Sequence, residues 1–214
     1  MATLLLRLQA PMQSWGISSH FTNRDTAREP SKSGVIGLVC AALGRPRDAD
    51  LDDLTRLRMG VRVDREGILQ KDFHIAQDIF KASGGGTKKS EISERFYLAD
   101  AAFLVGLEGK KELLGEINQA LKNPHWTLYL GRKAFTPGKP VWLQNNLTDL
   151  PLISALKSFP SLAPDPPETM RLVLETETGE FARGDVPINF ASRRFSSRRI
   201  HIDKIDSPAY QEVL

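Results

Sequence analysis

Apolar runs over the first 130 residues predict a regular succession of strands and helices. Runs of roughly four to eight apolar or alternating residues are typical of strands, whereas apolar residues about three or four positions apart indicate a helix. These patterns place strands at 3–8, 59–64, 101–107 and 126–130, and helices at about 33–43 and 110–121. The order strand, helix, strand, strand, helix, strand is the βαββαβ pattern of the α+β ferredoxin-like class.

A long excursion separates the second and third of these strands, at about residues 68–98. Within it, residues 72–76 and 94–98 are strand-like and are expected to pair as an antiparallel hairpin. The intervening stretch 81–90 contains three consecutive glycines flanked by lysines and serines, which is typical of a flexible loop tip. Because so few of its positions are large and apolar, the hairpin is expected to project from the body.

The helix at 33–43 follows a clear start signal. Pro30 disfavours a helical conformation at the preceding residue, and Ser31 or Ser33 can accept a hydrogen bond from the first free N–H groups. Lys32 lies at this positively polarised end, where free N–H groups and the helix dipole favour an anion. Two interpretations stay open: a phosphate-binding helix start, or a capped core helix whose lysine faces water.

The chain from residue 140 onward is predicted to form a C-terminal extension, 140–214, packed on a body formed by residues 1–139. Five prolines between positions 150 and 167 indicate an irregular connector. A strand is expected at 170–177, and a basic tail follows it.

Basic residues cluster in three places. They are Arg24, Arg28 and Lys32; Gly131 with Arg132 and Lys133; and, around Phe195 in the tail, Arg193, Arg194, Arg198 and Arg199. Gly131 permits close approach of a ligand to the backbone. In an extended tail, alternate side chains share a face, so Arg193, Phe195 and Arg199 are expected on one side. Arginine beside an aromatic ring suits phosphates and unstacked bases, which favours an RNA partner over ordinary solvated charge.

Composition sets the broad class. The 214 residues are 41% hydrophobic and 26% charged, as in ordinary globular proteins, and the net charge of +3 with a pI near 9.0 permits a polyanionic partner. The single cysteine, Cys40, excludes an internal disulfide and suits a reducing compartment. No stretch approaches the roughly 20 apolar residues that span a bilayer. We therefore expect a soluble, cytoplasmic protein without a membrane partner.

Signatures of catalysis are weak. The four histidines, at positions 20, 74, 125 and 201, belong to no metal-binding or nucleotide-binding motif. We expect neither a metal site nor a cofactor. His74, beside an aromatic residue in a predicted strand, is the one histidine that suits acid–base chemistry, although a structural role fits it better.

Four motifs, taken together and in order, resemble those of the CasD subunits of the type I-E CRISPR surveillance complex Cascade, members of the RAMP superfamily. They lie at residues 6–16 (LRLQAPMQSWG), 30–38 (PSKSGVIGL), 129–133 (YLGRK) and 190–193 (FASR). The resemblance spans nearly the whole chain. It implies a ferredoxin-like, RRM-like palm with a protruding β-hairpin thumb, which corresponds to residues 68–98.

The resemblance also implies a function and partners. CasD subunits cap one end of Cascade and hold the 5′ handle of the CRISPR RNA (crRNA). They also contact the adjacent backbone subunit and the large subunit that reads the PAM. Target DNA is therefore expected to be a partner only indirectly, through the complex. The RNA-binding residues expected on this basis are Arg24, Arg28, Ser31, Lys32, Ser33, Tyr129, Gly131, Arg132, Lys133, Arg193 and Arg194, with Tyr129 or Trp15 stacking a base. The thumb residues expected to contact partners are His74, Lys81, Lys88 and Lys89.

Some type I-C relatives are metal-independent endoribonucleases that cut the repeat RNA with a Tyr, Lys and His group. This chain has His74, Lys88 and Lys89 in the thumb region, but no adjacent Lys-His pair and no tyrosine in the opening loop and helix. We therefore expect a subunit without catalytic activity. The alternative is a repeat-cleaving endoribonuclease that uses His74 and a thumb lysine as acid and base.

Overall fold

A computed structural model describes residues 1–17, 22–81 and 83–212, and over these ranges the chain forms strands of two sheets and four helices. The strands are β1 (Ala2–Gln9), β2 (Met12–Gln13), β3 (Asn23–Arg24), β4 (Arg58–Arg65), β5 (Ile68–Phe80), β6 (Thr87–Ala99), β7 (Ala102–Gly109), β8 (Leu147–Thr148), β9 (Thr169–Glu175), β10 (Phe181–Asn189) and β11 (Arg194–Asp206). The helices are α1 (Lys32–Leu43), α2 (Asp52–Thr55), α3 (Lys111–Lys122) and α4 (Leu152–Ser158). His20, one of the four histidines considered above, lies outside the described residues.

The larger sheet has seven strands in the order β10-β11-β9-β4-β7-β1-β8, and every neighbouring pair is antiparallel. The strands predicted at 3–8, 59–64 and 101–107 are β1, β4 and β7 of this sheet. Beyond β4, the C-terminal strands β9, β11 and β10 continue the same sheet. The C-terminal segment and the first half of the chain are therefore joined by backbone hydrogen bonds.

Helices cover both faces of the sheet. Successive residues of β1 point to opposite faces, so Leu4, Leu6 and Leu8 pack in one core with the apolar sides of α1 and α3, while Leu5 packs in a second core with α4. Both α1 and α3 match the helices predicted from periodicity. No helix in the described part of the chain is long and apolar enough to cross a membrane.

Helix α4 was not expected, because the prolines around it indicated an irregular connector. Its seven residues fall between Pro151 and Pro160, so no proline interrupts the helix. The buried guanidinium of Arg62 donates hydrogen bonds to the carbonyl oxygens of Leu156 (2.6 Å) and Pro160 (2.8 Å) and thereby caps the end of α4.

The strand predicted at 126–130 is wrong. The backbone N–H groups of His125 and Trp126 donate to carbonyl oxygens at the end of α1 (2.9 and 3.0 Å), so this segment crosses the helix instead of joining the sheet. The position beside β1 is occupied by the short strand β8, which pairs with Thr3 and Leu4. An apolar run alone does not distinguish a strand from a segment packed on a helix.

The predicted hairpin is confirmed and is longer than expected. Strands β5 and β6 have 13 residues each and pair from Ile68 with Ala99 to Phe80 with Thr87. Residues 88–90, assigned above to the loop tip, belong to β6. Strands β2 and β3 flank the base of β6, which attaches the hairpin to the first loop of the chain.

Gly106 of β7 provides space for α4, and a larger residue there should destabilise the fold. A Cβ at this position would lie 2.6 Å from the Leu152 side chain. We expect Gly106→Val to lower the free energy of unfolding by about 1–3 kcal/mol through overpacking, measured by urea denaturation. The control is Gly115→Ala in α3, where a Cβ meets nothing within 4 Å and a gain of about 0.5–1 kcal/mol is expected. A stable Gly106→Val protein would contradict the proposed packing.

Candidate nucleic-acid interface

The start of α1 is built as its sequence predicts. Ser31 is the N-cap, and its hydroxyl accepts a hydrogen bond from the N–H of Gly34 (3.3 Å). At the other end, Gly44 adopts the left-handed conformation with φ of 73°. Gly34 packs against the buried ring of Trp15, so Trp15 is a core residue and is not positioned to stack a base.

Lys32, however, is inside the protein. Its side chain is 1% exposed, and Nζ donates to both carboxylate oxygens of Glu175 (2.7 and 2.9 Å). Burial lowers the pKa of the Lys32 ammonium, and the charge of Glu175 opposes that shift. The sequence-based expectation placed Lys32 and Ser31 at phosphates; in this structure both are buried, and neither is available to a ligand at the surface.

An internal carboxylate occupies the anion position of the helix. Asp185 of β10 accepts a hydrogen bond from the backbone N–H of Lys32 (2.8 Å) and two more from the guanidinium of Arg198 (2.7 and 3.0 Å). Lys32, Glu175, Asp185 and Arg198 thus form a buried ion cluster of two positive and two negative groups. Arg198, counted above among the basic residues of the tail, is 7% exposed and belongs to this cluster.

A second set of ion pairs lies next to it. The carboxylate of Glu29 pairs with Arg171 (2.7 Å) and with Arg183 (2.6 Å), and Arg171 also pairs with Glu66 (2.9 Å). These hydrogen bonds raise the pKa of the Arg171 guanidinium, and the bond to Glu66 makes the largest contribution. Together the two sets fix strands β9, β10 and β11 against the start of α1.

A groove of about 660 Å³ runs along the outer side of α1. Its lining is mostly apolar and aromatic, with arginines among it: Ser33, Gly34, Gly37, Leu38, Cys40, Ala41, Arg45, Pro46, Arg47, Trp126, Tyr129, Gly131, Phe190, Arg193 and Phe195. Four of the predicted RNA-binding residues meet here, namely Ser33, Tyr129, Gly131 and Arg193. The groove is therefore the candidate site.

Two segments far apart in sequence form the walls of the groove. The segment after Pro124 crosses the end of α1, which places Trp126 and Tyr129 along one side. The turn between β10 and β11 forms the other side, where the N–H of Ala191 donates to the carbonyl oxygen of Arg47 (3.1 Å). The helix between them contributes small residues, which leave its surface open.

Arg45, Arg47 and Trp126 line the candidate site and were not among the residues predicted from the sequence. The first two follow the stop signal of α1, where basic side chains near a glycine and a proline could have indicated a charged loop. Trp126 was assigned to a strand. Only the contact of this segment with α1 gives the tryptophan its place in the groove.

The three arginines of the groove differ in their pairing. Arg45 forms a two-point ion pair with Asp53 (2.7 and 2.5 Å), which raises the pKa of Arg45 and lowers that of Asp53. Within the described ranges, the side chains of Arg47 and Arg193 have no hydrogen bond or ion pair. Burial raises the pKa of the Cys40 thiol to about 11, so this group is neutral. The groove therefore carries two unpaired positive charges.

A second basic site lies at the base of the hairpin. Arg132 donates to the carbonyl oxygens of Phe96 (2.7 Å) and Arg24 (3.3 Å), and its guanidinium lies 5.3 Å from the centre of the Phe135 ring. Burial is the main cause that lowers the pKa of Arg132, and the nearby positive charges of Arg95 and Arg24 lower it further. The structure thus brings Arg24 and Arg132, which belong to two separate sequence clusters, together with Arg95.

The other predicted residues are distributed around these sites. Arg28, Lys133 and Arg194 are exposed. Arg193 lies in the turn before β11 with φ of 52°, and Arg199 donates to the carbonyl oxygen of Gly179 (2.9 Å). Arg193 and Phe195 therefore share the groove, whereas Arg199, expected on the same side, is not among the residues that line it.

All four predicted partner-contact residues lie on the hairpin. His74, Lys81, Lys88 and Lys89 are exposed, and Lys88 pairs with Glu91. In the described part of the chain, no group of three or more His, Cys, Asp or Glu residues could hold a metal ion.

The sequence matches the family of CRISPR-associated proteins described as Cas_Cas5 over residues 3–201. The chain belongs to the Cas5 family. A relative of this Cas5 chain is the CRISPR system Cascade subunit CasD of Escherichia coli (strain K12), 31% identical over 225 aligned residues that cover 94% of this chain and 95% of CasD.

Two solved structures are similar to this Cas5 chain over nearly its whole length. A crystal structure of a Cas protein superposes with a TM-score of 0.82 and 44% identity, covering 97% of this chain and 98% of the other. A chain of a CRISPR RNA-guided surveillance complex superposes with a TM-score of 0.81 and 35% identity, covering 97% and 91%. The mixed α+β architecture with antiparallel sheets is thus shared with known Cas proteins.

Removing the charge of Lys32 should destabilise the protein. Lys32→Met leaves Glu175 and Asp185 with only Arg198 as a positive partner, and breaking a buried pair in this way costs about 3–5 kcal/mol. Urea denaturation should give a loss in this range. Lys32→Met/Glu175→Gln should recover part of it, because both charges are then absent. The control Lys111→Met, which breaks the exposed pair with Asp149, should change stability little.

Gly131 should not tolerate a side chain. Its φ is 93°, and a Cβ would overlap the carbonyl oxygen of Ser14. The close approach anticipated at this glycine is therefore made by the protein's own backbone. Gly131→Ala should lower thermal stability more than the control Gly84→Ala, which has a similar φ of 76° but open space around it. The left-handed conformation alone costs about 1–2 kcal/mol, so equal effects would exclude a role for the Ser14 contact.

Proposed function

We propose that this protein is a non-catalytic subunit of a CRISPR Cascade surveillance complex and that it binds the 5′ handle of the crRNA. Its relative in E. coli is a Cascade subunit, and a similar chain belongs to an RNA-guided surveillance complex. The observation that carries the proposal is the groove beside α1, where unpaired arginines stand among exposed aromatic rings. This combination is typical of proteins that bind single-stranded nucleic acid.

The RNA path continues from the groove to the hairpin base. Gly131 lines the groove, and the next residue, Arg132, belongs to the basic site with Arg24 and Arg95. Lys133 and Arg28 are exposed, and we propose that they add phosphate contacts along this path. We leave Lys32 out of the proposed path, because its ammonium pairs with Glu175 inside the protein.

The scaffold of the site is proposed to be a ferredoxin-like palm. Strands β8, β1, β7 and β4 are adjacent in that order, and α1 and α3 cover one face, as in a split βαβ arrangement. In this interpretation β8 replaces the fourth strand expected at 126–130. Strands β9 to β11 are then a C-terminal addition to the edge of the palm sheet, and this addition begins after β8 instead of at the expected residue 140.

The hairpin of β5 and β6 is proposed to be the thumb that contacts a neighbouring Cascade backbone subunit. Alternation along the paired strands places Phe73, Ile75 and Ile92 on one face, and each of these side chains is more than half exposed. Lys71 lies over the Phe73 ring at 4.9 Å. An exposed apolar face of this kind is typical of a protein-binding surface. Lys88, which pairs with Ile79, lies on the same face of the hairpin, and Lys81 follows the end of β5.

The placement of the hairpin residues supports binding over RNA cleavage. His74 pairs across the hairpin with Ser93, and Lys89 lies four residues further along β6, about 13 Å away. Lys88 alternates onto the opposite face. A general acid and base must reach the same phosphate, and these residues do not converge. If the purified protein cut labelled repeat RNA at one position in EDTA, the endoribonuclease alternative would replace this proposal.

Neutralising the two unpaired arginines should weaken RNA binding and its salt dependence. For Arg47→Gln/Arg193→Gln, we expect the slope of log Kd against log salt for single-stranded handle RNA to fall by about 1.4, about 0.7 for each lost phosphate contact. The control is Lys157→Gln/Lys204→Gln, with the same net charge and both changes outside the groove. Equal slopes for wild type and the Arg47/Arg193 variant would refute the proposed path, and no RNA binding by the wild type would refute the function.

A further inference from the structure

We infer that Arg132 is a positioning residue: by holding the backbone of β6, it fixes the direction in which the β5–β6 hairpin meets its neighbouring subunit. The inference rests on the function proposed above, because that function assigns the hairpin to a protein partner. An arginine in a basic cluster commonly binds phosphate directly. The guanidinium of Arg132, however, makes its hydrogen bonds and its ring contact with the protein itself.

Two short strands attach the base of the hairpin to the first loop of the chain, and they leave a gap between them. Strand β2 pairs with residues 98–99 of β6, and strand β3 pairs with residues 94–95. Neither strand pairs with residues 96–97. Because a two-stranded hairpin has little stability of its own, its direction depends on the contacts that hold its base.

Side-chain donors occupy this gap. The carbonyl oxygen of Phe96 accepts hydrogen bonds from the guanidinium of Arg132 (2.7 Å) and from the hydroxyl of Ser14 (3.3 Å). The same nitrogen of Arg132 donates to the carbonyl oxygen of Arg24 in β3 (3.3 Å). Hydrogen bonds from charged donors are about twice as strong as those between neutral groups. Arg132 therefore provides the stronger attachment at the gap and joins β6 to β3.

The turn that carries Arg132 is itself held in place. The N–H of Leu130 donates to the carbonyl oxygen of Phe135, and the N–H of Phe135 donates to that of Arg132, each at 2.8 Å. The buried Phe135 ring lies 5.3 Å from the guanidinium and 5.9 Å from the Tyr97 ring of β6. Since Gly131 of this turn lines the groove, Arg132 fixes the hairpin relative to the groove.

The length of the hairpin makes its direction sensitive to this contact. Phe96 pairs with Lys71, which lies nine residues before the end of β5 at Phe80. At about 3.3 Å per residue the tip is about 30 Å from the contact, so a rotation of about 10° at the base moves it by about 5 Å. Protein interfaces pack as densely as protein interiors and do not tolerate such a displacement. The partner can therefore depend on Arg132 without touching it.

The test compares Arg132→Met with the control Lys139→Met, which removes the same charge from an exposed residue outside the gap. Spin labels are attached at Thr87→Cys on the hairpin and Gln119→Cys on α3, both exposed, after Cys40→Ala removes the native thiol. Double electron–electron resonance measures the distance between the labels. Arg132→Met should shift or broaden it by about 5 Å, and the control should not. A residue that only added stability would leave this distance unchanged in folded molecules.

Assembly with the purified Cascade subunits and crRNA is the second measurement. Arg132→Met should weaken it at least about 10-fold, the factor that one hydrogen bond from a charged donor accounts for, and Lys139→Met should not change it. If Arg132→Met does not fold, Ser14→Ala takes its place. That variant removes the other donor to the Phe96 carbonyl oxygen and keeps every charge, so it should change distance and assembly in the same direction.

The outcomes separate this inference from the proposed function. A wild-type distance in the variant would overturn the inference, and weaker binding of handle RNA at that unchanged distance would make Arg132 a phosphate ligand. A changed distance with unaltered assembly would also overturn it, because the partner would not depend on the direction of the hairpin. If the wild type does not assemble with Cascade subunits, the proposed function fails, whereas the distance still shows whether Arg132 fixes the hairpin.

Discussion

The buried ion cluster at the start of α1 is the interaction on which the candidate site depends. Lys32 on the helix and Glu175, Asp185 and Arg198 on three C-terminal strands are joined by hydrogen bonds of 2.7 to 3.0 Å. These bonds fix the sheet edge, and with it the β10–β11 turn, relative to the helix. Because a charge left without its partner inside a protein is costly, the arrangement specifies one relative position.

The same cluster occupies the start of α1 with groups of the protein itself. The dipole of α1 favours a negative group at its first turn, and Asp185 provides that group internally. Two arginines of the groove lie near the other end, where Arg45, paired with Asp53, and Arg47 follow Gly44. Positive side chains are favoured there by the same dipole. The dipole of α1 thus favours the internal carboxylate at its first turn and the arginines that follow its last turn.

The features that were predicted from the sequence depend on neighbouring residues. Those that were not predicted depend on residues far apart along the chain. Helix α1, its Ser31 cap and the hairpin around Gly84–Gly86 follow from neighbouring residues, and local patterns were sufficient. The burial of Lys32 depends on residues 143 and 153 positions away, and no local pattern distinguishes a lysine that meets Glu175 from one that meets RNA. Tyr129 and Phe195 were both singled out from the sequence, but their meeting in one groove with Trp126 was not, since positions 126–129 and 190–195 meet only in the folded protein.

The groove and the hairpin are mechanically linked through one loop. Ser14 donates its N–H to the carbonyl oxygen of Leu130 (3.1 Å) and its hydroxyl to that of Phe96 (3.3 Å). The first bond holds the segment that carries the groove wall, and the second holds strand β6 of the hairpin. Gly131 packs on the carbonyl group of Ser14, so no side chain separates the segment of the groove wall from the first loop. The groove wall and strand β6 of the hairpin are therefore both held by Ser14, which makes the geometry between them a property of the fold.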